Sequence, residues 1–310
     1  MSVTGEPARA VRLAPTRCAI CGTEGNSDEL YPANLADGAF TATVFSARRL
    51  PDGTHYRMVT CRACGLVRSD PVVDLSVLSE LYRESTFDYG DELEGLRVTY
   101  GAALERLAAL VPQRRGIVDI GCGTGFVLEV ALSQGWSDVR GVEPSTDAVA
   151  KAAPSVRPLI VQDMMRAGVL APESFDAVTL FQVLDHMPDP AAILEACREI
   201  LRPGGVIVAF NHNVSAVSAR LLRERSPIID VEHTYLYSPE TIRRLFTQVG
   251  FDVVSVDSVR NTYSPAYLVH LLPLPRAFKK GVIPRVRASR LNRLELTVPL
   301  GNLCLIARRR

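Results

Sequence analysis

Four of the seven cysteines stand as Cys18-Ala-Ile-Cys21-Gly and Cys61-Arg-Ala-Cys64-Gly. Two CxxC turns, each followed by a glycine that relaxes the backbone, let four thiolates close tetrahedrally around zinc. The stretch between the pairs is about twice the common length for such ribbons, which leaves two redox pairs as the other reading. Cys122, Cys197 and Cys304 read as small buried residues without a chemical role. A second reactive stretch is GIVDIGCGTGF, residues 116–126: an apolar run, Asp119, then Gly121, Gly123 and Gly125. Glycines in that position let backbone N–H groups approach a ligand at the carboxyl end of a strand. The third glycine falls one residue early for a dinucleotide fingerprint. Glu143, ending the next strand-like run, stands where a carboxylate can grip two ribose hydroxyls, a device shared with NAD-binding folds.

The elements that must position these groups alternate between two periods. Strand-like runs occur at GIVDIG, DVRGVEP, PLIVQD, FDAVTLFQV and GVIVAFNH, with helical stretches FVLEVALSQG, TDAVAKAA and AAILEACREIL between most of them. Asp189 is a plausible N-cap for the last helix, Pro190 fits its first turn, and Pro203-Gly204-Gly205 should stop it. Such alternation predicts an α/β fold with a parallel sheet covered on both faces. A helix at TIRRLFTQVG, a strand at FDVVSVDSV and a late strand at NLCLIARRR complete the chain.

With 310 residues, 47% hydrophobic composition and net charge +1, the chain can bury one large core or two unequal ones. It has no apolar run of the roughly 20 residues a bilayer demands, and its first residues lack the apolar centre of a secretory signal, so a cytoplasmic address is expected. Up to residue 95 there are nine Arg, no Lys and fourteen Asp or Glu. A surface that neutralises nucleic-acid phosphates should not lean acidic. A boundary is expected near residue 95, with a zinc ribbon and an acidic helical connector carrying Tyr82, Phe87 and Tyr89 before it.

In order along the chain, DIGCGTG, GVEP, VQD, FDAVTLFQVLDH and LRPGG fall at successive strand ends. This set resembles the class I S-adenosylmethionine-dependent methyltransferases over roughly residues 96–310. The resemblance implies a Rossmann-like seven-stranded sheet whose last strand is antiparallel. It also implies that Gly121, Gly123 and Gly125 line the methionine and ribose, that Glu143 holds the ribose, and that Asp163 with Met164 flanks the adenine. Asp119 would orient the loop or the cofactor's amino group, and Phe181 at the fourth strand end completes the cofactor set. Methyltransferases of base or amide nitrogens often carry Asn/Asp-Pro-Pro-Tyr on that strand. Phe181-Gln182-Val183-Leu184-Asp185-His186 departs from it and favours a small-molecule acceptor at carbon or oxygen.

Methyl transfer to a hydroxyl or carbon acid calls for a base. His55 lies in the ribbon loop and His270 in the tail, while His186, His212 and His233 follow the fourth strand, the fifth strand and the linker beyond, on the ligand side of such a sheet. Each alone reads more readily as a structural hydrogen-bonder than as a base; together they mark a pocket. Glu232-His233 before Tyr-Ser-Pro, joined to a four-cysteine ribbon, is similar to sugar C-methyltransferases acting on nucleotide-linked keto-sugars. That likeness implies His233 as base with Glu232 supporting it. The family's tyrosine two residues before the Glu is Asp230 here, and its large C-terminal domain does not follow. O-methylation of a sugar or another polar metabolite therefore stays open beside C-methylation, with a zinc-guided RNA methyltransferase and a non-catalytic cofactor-binding protein as rivals. An insertion at about 261–300 carries seven basic and no acidic residues from Arg276 to Arg293, beside the apolar YLVHLLPLP. It reads as a solvated helical lid, or through 266–293 as a contact for nucleotide phosphate, lipid-linked phosphate or a membrane surface.

Overall fold

The computed structural model describes residues 12–35, 45, 53–86, 89–272, 274–294 and 296–310. The extreme N-terminal stretch and Phe87 of the connector lie outside the described residues.

The first part of the chain forms β1 (Leu13–Ala14), β2 (Ser27–Tyr31), β3 (Met58–Cys61), β4 (Val67–Ser69) and β5 (Val72–Val73). β1 pairs with β5, and β2, β3 and β4 form an antiparallel meander. Helix α1 (Leu75–Glu84) follows, its first turn capped by the Asp74 carboxylate accepting from the Ser76 amide. It buries Leu78 and Leu81 and places Tyr82 on the cavity described below. Helix α2 (Leu93–Leu110) begins before residue 95, where a domain boundary was expected from sequence.

The αβ alternation then appears as β6 (Gly116–Ile120), α3 (Phe126–Ser133), β7 (Asp138–Val142), α4 (Thr146–Lys151), β8 (Ile160–Val161), β9 (Phe175–Phe181), α5 (Pro190–Ile200) and β10 (Leu201–His212). Every residue of β6 and of β9 is buried. This is the continuous apolar pattern of strands covered on both faces. Asp189 caps α5 by accepting from the Ala192 amide, as its position before Pro190 predicts. The helix ends at Ile200, earlier than the Pro203-Gly204-Gly205 stop. Leu201, fully buried, already pairs with Phe175, and the Pro-Gly-Gly turn becomes an irregularity within β10 before Val206 resumes the ladder.

Beyond β10 come α6 (Val217–Leu222), β11 (Tyr235–Leu236), α7 (Pro239–Gln248), β12 (Phe251–Tyr263), α8 (Pro265–Leu271), α9 (Arg276–Ala288) and β13 (Leu296–Arg309). Ser238 and Thr241 form a reciprocal capping box at the start of α7. The large sheet has seven strands in the order β12-β13-β10-β9-β6-β7-β8, and β13 runs antiparallel to both neighbours. Strand order reverses between β6 and β9, the switch point at whose carboxyl ends open α/β sheets bind ligands. β12 and β13 pair beyond the expected strands, from Phe251 with Arg309 to Tyr263 with Leu296, so the insertion is a long hairpin tipped by α8 and α9.

Strand β11 was not anticipated. Tyr235 pairs with Arg68 and Leu236 with Val67, so β11 joins the small sheet in the order β11-β4-β3-β2. The Tyr235 hydroxyl donates to the Arg17 carbonyl at 2.7 Å. Cys18, Ile20, Cys61 and Leu66 share one apolar core with Val118, Leu180, Leu184 and Tyr237. The cysteine-bearing segment is thus packed onto the large sheet.

Candidate active site

The loop after β6 is built from left-handed glycines, with φ of 69° at Gly121, 53° at Gly123 and 79° at Gly125. At Gly121 a Cβ would also stand 2.8 Å from Val183 Cγ2, so a side chain there is excluded by conformation and by space. Glu143 is buried, its Oε2 accepting from the Gly123 amide and its Oε1 from the Ser145 amide, each at 2.8 Å. Burial raises its pKa to about 7 against the pull of those two amides. Asp119 is likewise raised to about 7, first by burial and further by the charge of Glu143, while its bond from the Thr179 hydroxyl opposes the rise.

These groups meet a cavity of about 700 Å³. Gly121, Glu143, Met164 and Phe181 line it, and Phe181 stacks on Tyr100 of α2 at 4.1 Å between centroids. Gly123 serves by holding the Glu143 carboxylate, and Gly125 by packing against Val156 and opening α3. Asp119 and Asp163 are not on the cavity wall. Asp119 is held beneath the loop by Thr179, and Asp163 binds the Met164 amide and Arg166 at 2.8 and 2.7 Å. The adenine-flanking role implied for Asp163 therefore competes with an ion pair.

The same cavity is lined by His186, His212, His233, Asp230 and Glu232. The His233 ring centroid lies 4.9 Å from that of His186 and 4.7 Å from that of His212. His233 Nδ1 is 2.9 Å from the Ile228 carbonyl, which can only accept, so the neutral ring carries its lone pair on Nε2. The backbone around His233 is pinned from both sheets. The Ser69 hydroxyl donates to the His233 carbonyl and the Ser69 amide to that of Thr234, while the Thr234 and Tyr235 amides both donate to the Asp185 carbonyl. Tyr82 also lines the cavity and Asp185 lies buried behind the histidines; sequence alone assigned neither a role in the site. Asp185 is fully buried between His186 and His212 at 3.8 Å from each. Tyr82 packs edge-on to His186. Its hydroxyl is pushed far up by burial and by the charges of Glu232, Asp185 and Asp230, which marks a converging set of carboxylates. Both residues were visible as letters, but sequence separation gave no reason to bring them together.

The four cysteines also converge. Cys18 Sγ lies 3.3 Å from Cys64 Sγ and Cys21 Sγ 3.4 Å from Cys61 Sγ, with all four sulfurs within 4.8 Å of one another. The two turns repeat one geometry: the Gly22 amide donates to the Cys18 carbonyl at 2.8 Å and the Gly65 amide to that of Cys61 at 2.9 Å, both glycines being left-handed. Such a thiol set fits a tetrahedral soft cation.

Among proteins of known family, residues 93–256 match the methyltransferase domain family, 164 of the 310 residues. The chain belongs to that family. This methyltransferase is 30% identical over 169 residues to a ubiquinone biosynthesis O-methyltransferase of Cupriavidus pinatubonensis, covering 50% of this chain and 67% of the relative. It is 36% identical over 105 residues to one from Psychrobacter arcticus, covering 31% of this chain but only 40% of that relative. Among solved structures it resembles a putative methyltransferase from Bacillus halodurans, at 16% identity and a TM-score of 0.49, covering 67% of this chain and 98% of the other. The relatives bear O-methyltransferase names, where the sequence had pointed to sugar C-methyltransferases. What holds of that resemblance is its coarser content, the S-adenosylmethionine-dependent methyltransferase domain. The residues present fit this cofactor. Glu143, on the cavity wall, keeps further lone pairs for ribose hydroxyls beside its two amides.

Proposed function

We propose that this methyltransferase moves the methyl group of S-adenosylmethionine to a hydroxyl oxygen of a small ring-bearing acceptor. His233 would take the proton, Glu232 and His186 would support it, and zinc in the four-cysteine turns would be structural. The observation that carries the reading is that Gly121 and Glu143 line the same cavity as His186, His212 and His233. Bound there, the cofactor supplies an electrophilic sulfonium methyl. The acceptor oxygen forms the new bond to carbon, the C–S electrons return to sulfur, and the hydroxyl proton passes to an imidazole. Confinement in one cavity supplies alignment, and a neutral imidazole with its lone pair on Nε2 supplies the base. Tyr82, Tyr89 and Tyr100 on the wall suit a flat or ring-shaped acceptor. The relatives' names favour oxygen over carbon.

A saccharide acceptor rests on the Glu232-His233 pair and the ribbon, the features that resemble sugar C-methyltransferases. Leu268, Leu271 and Leu272 of the hairpin tip also line the cavity, which supports a lid role for the insertion. Of its seven basic residues, Lys279 is spent internally, donating to the His270 carbonyl at 2.6 Å. Among the described residues no helix is long and apolar enough to cross a membrane.

The test is transfer of isotope-labelled methyl from S-adenosylmethionine to a panel of phenols and hydroxylated sugars. Label on oxygen is expected. A protein that binds the cofactor but labels no hydroxyl would sink the reading. Deuterium exchange beside the ketone of a keto-sugar, in the presence of S-adenosylhomocysteine, would replace oxygen by carbon as the acceptor atom.

A further inference from the structure

Asp185, His212 and His233 place one carboxylate oxygen and two ring nitrogens within 4.8 Å of one another. They come from the loop after β9, the end of β10 and the segment before β11, three places brought together only by the fold. We propose that these three side chains bind a divalent transition-metal cation, distinct from any ion in the four-cysteine turns, with open coordination positions facing the acceptor.

Three observations converge on it. The first is the carboxylate itself. Asp185 is fully buried, yet its bonds from the Asn211 side chain and the His212 amide are long, at 3.4 and 3.5 Å. A buried carboxylate requires a counter-charge or strong hydrogen bonds; hydrogen bonds this long are weak, and the imidazoles of His186 and His212, 3.8 Å away, supply a counter-charge only when protonated. The second is how the imidazoles are held. His233 Nδ1 meets the Ile228 carbonyl at 2.9 Å and His212 Nδ1 meets Asn302 Oδ1 at 3.0 Å. In metal sites the ligating ring commonly gives its other N–H to such an acceptor, which fixes the tautomer and aims the lone pair. Here both rings do so, and both then carry the lone pair on Nε2. The third is the field, since Asp230 and Glu232 also line the cavity and the cluster lies in acidic surroundings.

Two imidazoles and one carboxylate form a borderline N/O donor set, suited to zinc, manganese, iron or cobalt in the divalent state. Bonds of about 2.1 Å would draw the donors to roughly 3–3.5 Å from one another, within reach of side-chain rotation. Three protein ligands leave positions open, the pattern of a catalytic rather than a structural site. The role of such an ion rests on the proposal that this cavity holds the acceptor. A hydroxyl entering an open position becomes more acidic and loses its proton to a neighbouring base. His233 then acts as a ligand rather than as the base.

The experiment titrates cobalt(II) into zinc-loaded full-length protein after removal of loosely bound metal. One further cobalt per chain is expected, with visible d–d absorption but without the thiolate charge-transfer band that marks the cysteine site. His212→Ala and the isosteric Asp185→Asn should each weaken it by about tenfold or more, while both still bind S-adenosylhomocysteine, which guards against misfolding. Cys61→Ser should lose zinc and keep the cobalt signal. No cobalt beyond the cysteine site, or equal binding by wild type and both variants, overturns the proposal. Methyl transfer that persists at full rate in chelator also overturns the ion's catalytic role and leaves His233 as base. Cobalt bound as expected in a protein that methylates no hydroxyl would uphold the site and refute the proposed function instead.

Discussion

The two walls of the cavity are made in opposite ways. On the cofactor wall, Gly121, Gly123, Gly125 and Glu143 lie within one βαβ unit, and the backbone does most of the shaping: three left-handed glycines and two amides fixed on one carboxylate. On the acceptor wall, Tyr82, His186, His212 and His233 come from four separated segments, with Asp185 buried behind the histidines, and side chains do the work. What joins them is backbone pairing at long range, above all Ser69 on His233 and Thr234, and Asp185 on Thr234 and Tyr235. A site built from one contiguous loop tolerates change around it, whereas one assembled from distant strands depends on the packing that brings them together.

Mutating each wall should therefore have separable effects. The largest is expected at His233. His233→Ala should lower kcat by about a hundredfold to ten-thousandfold with cofactor affinity unchanged, whether the ring takes the proton itself or holds the ion that acidifies the hydroxyl. Glu232→Gln should do less, because it supports rather than takes the proton. Turnover equal to wild type on the true acceptor would move the role to His186 or His212.

Glu143→Ala comes next and should act on the other wall alone. Losing charged hydrogen bonds to two hydroxyls costs about 2–4 kcal/mol, roughly 30- to 1000-fold in affinity for S-adenosylmethionine by calorimetry. Equal affinities would place the ribose elsewhere.

A smaller effect should come from pH. Burial raises Glu143 to about 7, so its ionised form, the better acceptor for ribose hydroxyls, gains population as pH rises through that value. Affinity for the cofactor should climb by about tenfold between pH 6 and pH 8, the linkage expected for one such proton. Glu143→Gln should flatten that slope, and a wild-type affinity independent of pH would show that the carboxylate is already ionised in the free protein.

The smallest is expected from Tyr82→Phe. It removes a buried hydroxyl that has no hydrogen-bond partner among the described residues, so what is lost is at most one hydrogen bond to a bound acceptor, about 0.5–1.5 kcal/mol. The acceptor KM should rise a few-fold with cofactor affinity intact. A shift in cofactor affinity instead would mean that the two walls are coupled through α1.

Much of the fold was legible before any coordinates. The central strands read as apolar runs broken only by Asp119, Asp176 and Thr179, the Asp189-Pro190 cap announced α5, and all seven strands of the large sheet overlap runs read as strands. The misplaced boundaries have a common cause. Pro203-Gly204-Gly205 signals a stop only locally, and the pairing of Leu201 with Phe175 overrides it. The lengths of β12 and β13 depend on each other and on no local pattern.

The same division holds for chemistry. The sequence by itself determined the glycine loop, Glu143 and the two cysteine turns, because each of these is written in neighbouring residues whose backbone conformation follows from their own types. Only the tertiary structure decided that β11 would complete the small sheet, that Tyr82 would reach the cavity from α1, and that Asp185, His212 and His233 would meet. Those encounters depend on strand order and on hydrogen bonds between residues more than a hundred positions apart, such as Ser69 with His233. No local propensity encodes a distance across that many residues; it is set by how the two sheets share one core.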